Sequence, residues 1–175
     1  MIVAEPCQRP LLDSAVRDQR DNNLSVSRIE ERKSLQLPRR EASGVSPTRL
    51  HESGYFAIGL PSAGIAKETL YLGSVSKFDD ADKVTKSGVT LVEVPDSVIP
   101  MVEGCVAWAI FKVIPEVHNE KSYDLFIGEA VAAWADSRVF SDGHWHFEKA
   151  DDLLRTLHYV AGGHFYKIGE AIHVA

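Results

Sequence analysis

The strongest apolar patterning lies between residues 99 and 134. Two runs, 105–114 and 124–134, flank a polar connector at 115–123. Both are rich in Val, Ile, Phe and Trp and contain no proline, so both predict strands. In the first, Cys105, Ala107, Ala109, Phe111 and Val113 alternate with Val106, Trp108, Ile110, Lys112 and Ile114. Both sets are largely apolar, so this strand is expected to be covered on both faces. The second run repeats the pattern from Leu125 on, with Glu129 as its one charge. A buried helix is the competing reading, against which the Gly128 break and the β-branched content count.

Around these runs the punctuation is dense. Ser46 caps a helix with Pro47 at its first position, and Gly54 ends it. A strand over 55–60 stops at Pro61. Ser62 caps a second helix through Leu72, with Gly73 as its terminator and Ile65, Thr69 and Leu72 on one face. Asp79 or Asp80 caps a third short helix ending at Gly88. A short strand at 89–94 and a linker at 95–100 lead into the central runs. Beyond them come a turn at Ser141-Asp142-Gly143, a short helix at 151–157, a Gly162-Gly163 turn and a last strand at 164–168. Many strands with short helices between them and no internal repeat predict a mainly β fold, a barrel rather than a doubly wound sheet.

Composition divides the chain near residue 46. All 15 aromatic residues and all seven histidines come after residue 50, and eight of the ten arginines come before it, as against one of the nine lysines. Residues 1–46 carry eight basic and seven acidic groups, a formal +1; the rest carries eleven and eighteen, −7, which together make the −6 of the whole. Without aromatic area the first segment can bury little, so it is expected to be poorly ordered or loosely helical, with one thin helix over 27–37. Residues 47–175 then form the single folded domain. The acidic balance argues against a nucleic-acid surface. No apolar run reaches the roughly 20 residues of a membrane helix, and no signal-peptide core opens the chain. Cys7 and Cys105 are far apart and predict free thiols in a reducing compartment. The expectation is a soluble cytoplasmic protein.

Chemistry is sparse. No Gly-rich dinucleotide motif, phosphate-loop lysine or Cys-x-x-Cys is present. His144 and His146 share one face of a strand, as a metal pair does, but have no evident third ligand and read as a solvated turn. Glu129 with His158 or His164 can form an acid–base pair, or Glu129 is a polar group at a barrel end. Cys105, inside a strand, reads as core. A Gly-Ser turn at 73–76 followed by Lys83 at a helix start can hold a phosphate through backbone N–H, hydroxyl and ammonium, or can be a helix end followed by a surface lysine.

The run Thr48-Arg49-Leu50-His51-Glu52-Ser53-Gly54-Tyr55-Phe56-Ala57-Ile58-Gly59-Leu60-Pro61 resembles the helix–strand entry of the flavin reductase-like, FMN-binding split-barrel family. So, in family order, do Gly73-Ser74-Val75-Ser76, Ala81-Asp82-Lys83, Glu103-Gly104-Cys105, Leu125-Phe126-Ile127-Gly128-Glu129 and the run from Leu157 to Tyr166. The resemblance covers about residues 47–170. It implies a homodimeric split β-barrel holding FMN near its interface, with hydride transfer from NADH or NADPH to flavin or electron transfer through bound FMN. By position it places Ser74, Ser76 and Lys83 near the flavin phosphate or ribityl chain, and His164 and Tyr166 near the ring or the nicotinamide side. Two other readings stand beside a flavin reductase: a non-catalytic flavin carrier of the same fold, and a remnant without a working FMN site. Lys77-Phe78 departs from the family's glycine turn, and the family's opening strands are not recognisable in residues 1–46. The homodimer is expected to form through the two faces of the central strands, at Trp108 and Phe111.

Overall fold

The structure is a computed structural model that describes residues 2–4, 16–18, 26–28, 34–38, 50, 52–76, 79–94, 97, 99–123 and 125–174. Four short strands, β1 (Ile2–Ala4), β2 (Val16–Asp18), β3 (Val26–Arg28) and β4 (Ser34–Pro38), precede the main body. Leu50, Glu52 and Ser53 are helical; the Gly54 N–H donates to the Leu50 carbonyl at 2.9 Å, and Gly54 ends the turn at φ +68°. Then follow β5 (Tyr55–Pro61), α1 (Ala66–Ser74), α2 (Lys83–Ser87), β6 (Leu91–Glu93), β7 (Met101–Val102), β8 (Cys105–Ile114), α3 (Val117–Tyr123) and β9 (Leu125–Asp136). Two hairpins close the chain, β10 (Phe140–Ser141) with β11 (His144–Trp145), and β12 (Leu157–Ala161) with β13 (His164–Lys167).

The main sheet runs β1-β5-β8-β9-β3, with β4 also on β9. Every pairing in it is antiparallel. A second, separately hydrogen-bonded sheet has the order β2-β6-β7. The fold is mainly β with short helices, as the patterning predicts. The strand over Cys105–Ile114 has the predicted bounds, and both its faces are covered. Its even side chains Trp108 and Ile110 pack with Trp134, Met101 and Val102, and with Ile65 and Leu72 beside them. Its odd ones, Phe111 and Val113, pack with Leu50, Phe56 and Phe126. The two strands do not pair with uniform register. Ile110 faces Ala132 and Phe111 faces Ala130, so Val131 is an extra residue on β9 with no partner on β8, a β-bulge.

Four expectations change. Trp108 and Phe111 do not present bare apolar faces to a partner, because they are only 5% and 6% exposed within one chain. Residues of β6 and β7 pack with Trp108, and Leu50 packs with Phe111. Residues 27–37 are not one helix. The chain is extended at Val26–Arg28 and Ser34–Pro38, where β9 offers its second edge, so pairing overrides a weak helical preference. Gly73 does not terminate its helix, which continues to Ser74. The polar connector contains α3, started by a loop in which the Glu120 carboxylate accepts the Glu116 N–H at 3.1 Å. The expected poor order of residues 1–46 falls mostly on residues outside those described, as do Ser46, Pro47 and Cys7.

Candidate functional site

The site is built around α1. Ser62 begins it: its Oγ accepts the Gly64 N–H at 3.3 Å and opens a 3-10 turn that runs into the helix. Within α1 no residue is fully buried, but Ile65 and Leu72 rest on the Trp108 cluster and fix the helix against the sheet. At its far end the Ser74 hydroxyl donates to the Leu70 carbonyl at 2.8 Å and is exposed.

The connection from α1 to α2 carries the other two phosphate candidates. The Ser76 carbonyl accepts the Asp79 and Asp80 N–H groups at 3.2 and 3.0 Å, and the Asp80 carbonyl accepts the Lys83 N–H at 3.2 Å. Lys83 opens α2 and is buried, 7% exposed, rather than a surface lysine. Lys86, one turn on, is bound by Asp80, whose two carboxylate oxygens each lie 2.8 Å from Nζ. This bond holds the Asp80 carboxyl below its usual value and pushes the Lys86 ammonium up. Asp80 also accepts the Asp82 N–H at 3.0 Å. Ser74 thus ends α1, Ser76 lies in the connection that follows and Lys83 opens α2, with Lys86 bound by Asp80.

His164 and Tyr166 lie on β13. The Gly162-Gly163 turn has φ of +57° and +81°, as a tight two-residue hairpin turn requires. A Cβ at Gly163 would stand 3.2 Å from Leu70 Cδ2, so the hairpin tip lies against α1 one turn before Ser74. His164 follows directly and packs edge-on to Tyr166, with ring centroids 5.0 Å apart at 80°. Both are exposed. The helix thus carries Ser74 at its C-terminal end and has the Gly163 hairpin tip beside Leu70 at its middle.

The remaining candidates settle into structural roles. His144 contacts the Asp142 carbonyl at 2.7 Å, and His146 the Ser141 carbonyl at 3.3 Å. Among the described residues no group of three or more His, Cys, Asp or Glu side chains is placed to hold an ion. Glu129 of β9 stands directly opposite Lys112 of β8, while His158 is on the exposed hairpin. Cys105 is buried, and desolvation pushes its thiol up to about 12, so it is core. Asp80, expected as a possible helix cap, instead holds Lys86 while Asp82 takes the cap position, and sequence reasoning missed Asp136 and both arginines of the body. Arg138 forks onto the buried Asp136 with contacts of 2.5–3.0 Å. Arg155 ties down the last hairpin. Their signal was in the composition: they are the two arginines after residue 50 in a body that otherwise uses lysine.

No protein-family model matches the chain. The uncharacterized protein YddH of Escherichia coli (strain K12) is 36% identical over 124 residues, which is 70% of this chain and 64% of YddH. The chain thus spans less than two thirds of that curated relative. The crystal structure of an FMN-binding domain of a flavin reductases-like enzyme from Shewanella baltica OS155 is 42% identical, with a TM-score of 0.75 over 81% of this chain and 74% of that one. The chain belongs to the flavin reductase-like, FMN-binding split-barrel family. A further split-barrel likeness, to the flavoredoxin of Desulfovibrio vulgaris (Miyazaki F), has a TM-score of 0.61 over 81% of this chain and 73% of that one; at 23% identity it speaks for the fold alone. Among the described residues no helix is long and apolar enough to cross a membrane.

Proposed function

We propose that this split-barrel chain binds FMN and acts as an oxidoreductase, passing hydride or electrons between NADH or NADPH, the flavin and an acceptor. The observation that carries the reading is the 42% identity to the Shewanella baltica FMN-binding domain across most of the chain. The donor set around α1 fits the cofactor. The Ser74 and Ser76 hydroxyls and the Lys83 ammonium are donors of the kind a phosphate needs. The edge-to-face His164–Tyr166 pair offers an exposed aromatic and imidazole surface suited to a flat ring. When bound, the isoalloxazine itself supplies the hydride chemistry. The chain's residues then bind and orient: Lys83 offsets the phosphate charge, Ser74 turns its hydroxyl from Leu70 to the ligand, and the hairpin shields the ring side from water.

The same reading includes a homodimer, relocated from the central strands to the last hairpin. Tyr159, Val160 and Tyr166 are 53%, 53% and 60% exposed on a two-stranded unit outside the main sheet. A hairpin of that size is marginal in water by itself, and a second copy covering it supplies the missing burial. Sedimentation at micromolar concentration is expected to show a dimer, and a monodisperse monomer refutes this part. A cytoplasmic location fits the buried, unpaired Cys105 thiol.

The test of the whole is a flavin titration followed by NAD(P)H oxidation. FMN binding with flavin-dependent NAD(P)H oxidation supports the reductase. A flavin spectrum without that oxidation makes the protein a flavin carrier of the same fold. No binding of added FMN refutes the reading and leaves a remnant without a working site.

A further inference from the structure

Arg155 occupies the base of the last hairpin, where β12 enters and β13 leaves. Its carbonyl accepts the Ala63 N–H at 2.8 Å, next to a bridge between Ser62 and Thr156, so its backbone is tied to the start of α1. Its side chain crosses to the other strand: Nη1 donates to the Ile168 and Gly169 carbonyls at 3.1 and 3.2 Å. Its Nε is enclosed without a hydrogen bond of good geometry, and the compensating charge is Asp152 Oδ1 at 3.3 Å. The other Asp152 oxygen pairs with Lys167 of β13. The Arg155 backbone carbonyl thus holds the approach to α1, while the guanidinium joins the 3-10 turn at Asp152–Leu154 to the exit of β13. A planar fork can do this in one fixed plane, whereas an ammonium reaches one partner set at a time.

We propose that Arg155 is a positioning residue of the flavin site: it closes the base of the β12–β13 hairpin and so sets how His164 and Tyr166 stand beside α1. This rests on the flavin reading above. The hairpin tip lies beside Leu70 at Gly163, and its base is held by backbone bonds at Arg155, Thr156 and Ile168 and, through side chains, by the Arg155 guanidinium and the Lys167–Asp152 pair. Between them the His164 and Tyr166 side chains are exposed. Removing the guanidinium frees the Ile168 and Gly169 carbonyls and Asp152 Oδ1 while the backbone bonds at Arg155 and Thr156 remain, so the base loosens and the ring-facing pair loses its fixed distance from α1.

The experiment uses the full chain as wild type, Arg155→Ala, Arg155→Lys and Lys83→Ala. Each is measured by amide hydrogen exchange and by titration with FMN and with riboflavin. In Arg155→Ala, exchange across 157–167 is expected to accelerate by about tenfold, the scale of lost charge-assisted hydrogen bonds, while β8 and β9 keep wild-type protection. FMN and riboflavin affinities fall by the same factor, about tenfold, because the hairpin serves the ring both flavins share. Arg155→Lys falls between wild type and Arg155→Ala, and Lys83→Ala weakens FMN alone. Faster exchange in β8 and β9 to the same degree makes Arg155 a support of the whole fold and overturns the proposal. So does unchanged hairpin exchange, or a loss confined to FMN. A wild type that binds neither flavin overturns the functional reading and the flavin half of this proposal; the exchange data still decide whether Arg155 closes the hairpin.

Discussion

Replacing Gly128 with alanine tests how closely the sheet packs on the Phe56–Phe111 pair. A Cβ at Gly128 would stand 2.7 Å from Phe56 Cε1 and Cζ and 2.9 Å from Phe111 Cβ. Carbon atoms in good contact stay about 3.5–4.0 Å apart, so the Phe56 ring must retreat by roughly 1 Å. It has nowhere easy to go: Phe56 is fully buried and stacked on Phe111, with centroids 5.0 Å apart at 13°. Leu50, Val113 and Phe126 complete the cluster. Overpacking of this kind costs about 1–3 kcal/mol. Removing a glycine's freedom from the unfolded chain returns about 0.4–1 kcal/mol, which leaves a net loss of about 1–2 kcal/mol. For a chain of this size that lowers Tm by roughly 2–8 °C. Gly73→Ala is the control. A Cβ there meets nothing within 4 Å, and the position lies inside α1, so the same change should raise stability by about 0.5–1 kcal/mol. Thermal and urea unfolding of both variants decide the matter. Gly128→Ala melting at or above wild type, or Gly73→Ala losing as much as Gly128→Ala, refutes the reasoning.

Three further outcomes follow from other sites. Arg138→Ala leaves the Asp136 carboxylate, 1% exposed, without its fork, and should cost about 1–3 kcal/mol in urea unfolding; a neutral result means the Arg138 N–H bond to Asp136 suffices. Lys83→Ala should weaken FMN binding by about 1.5–3 kcal/mol and leave riboflavin nearly unchanged; an equal loss for both flavins would show that Lys83 holds the fold. Cys105 should resist alkylation in the native chain at pH 8. Its thiol is raised from 9.0 to about 12 in the fold, so above pH 9 the unfolded chain gives up this proton while the native one keeps it. Stability is then fully present below pH 9 and declines as pH rises toward 12, and Cys105→Ala should flatten that decline.

How much of this was legible depended on where each instruction was stored. Strand β8 was readable to the residue because its signal is local, an unbroken β-branched and aromatic run. The Ser62 cap, the Gly54 and Gly88 helix ends and the Asp142-Gly143 and Gly162-Gly163 turns were readable for the same reason. Strands β1 to β4 were not, since three or five residues without alternation become strands only where β5, β6 and β9 offer an edge. The covering of Trp108 and Phe111 failed in another way. Counting helices overlooked that the β6–β7 pair can pack on a strand as well as helices can. For the site, the residue types of Ser74, Ser76, Lys83, His164 and Tyr166 were visible in the chain. The Asp80–Lys86 bond and the Arg155 clamp depend on distances that spacing does not encode. Arginine scarcity was a usable sign of both arginine contacts, Arg138 on Asp136 and Arg155 at the hairpin base.

The extra residue at Val131 has a consequence for how the molecule comes apart. Before it, Phe126, Gly128 and Ala130 of β9 belong with the Phe56 cluster; after it, Ala132 and Trp134 belong with the Trp108 cluster. All five are even-numbered, so the bulge hands one row of side chains from one core to the other, across the sheet. A strand shared in this way cannot be released by one core while staying in register with the other. The two cores should melt in a single transition, and deleting Val131 should do more than shorten a strand: it turns half of β9 inside out.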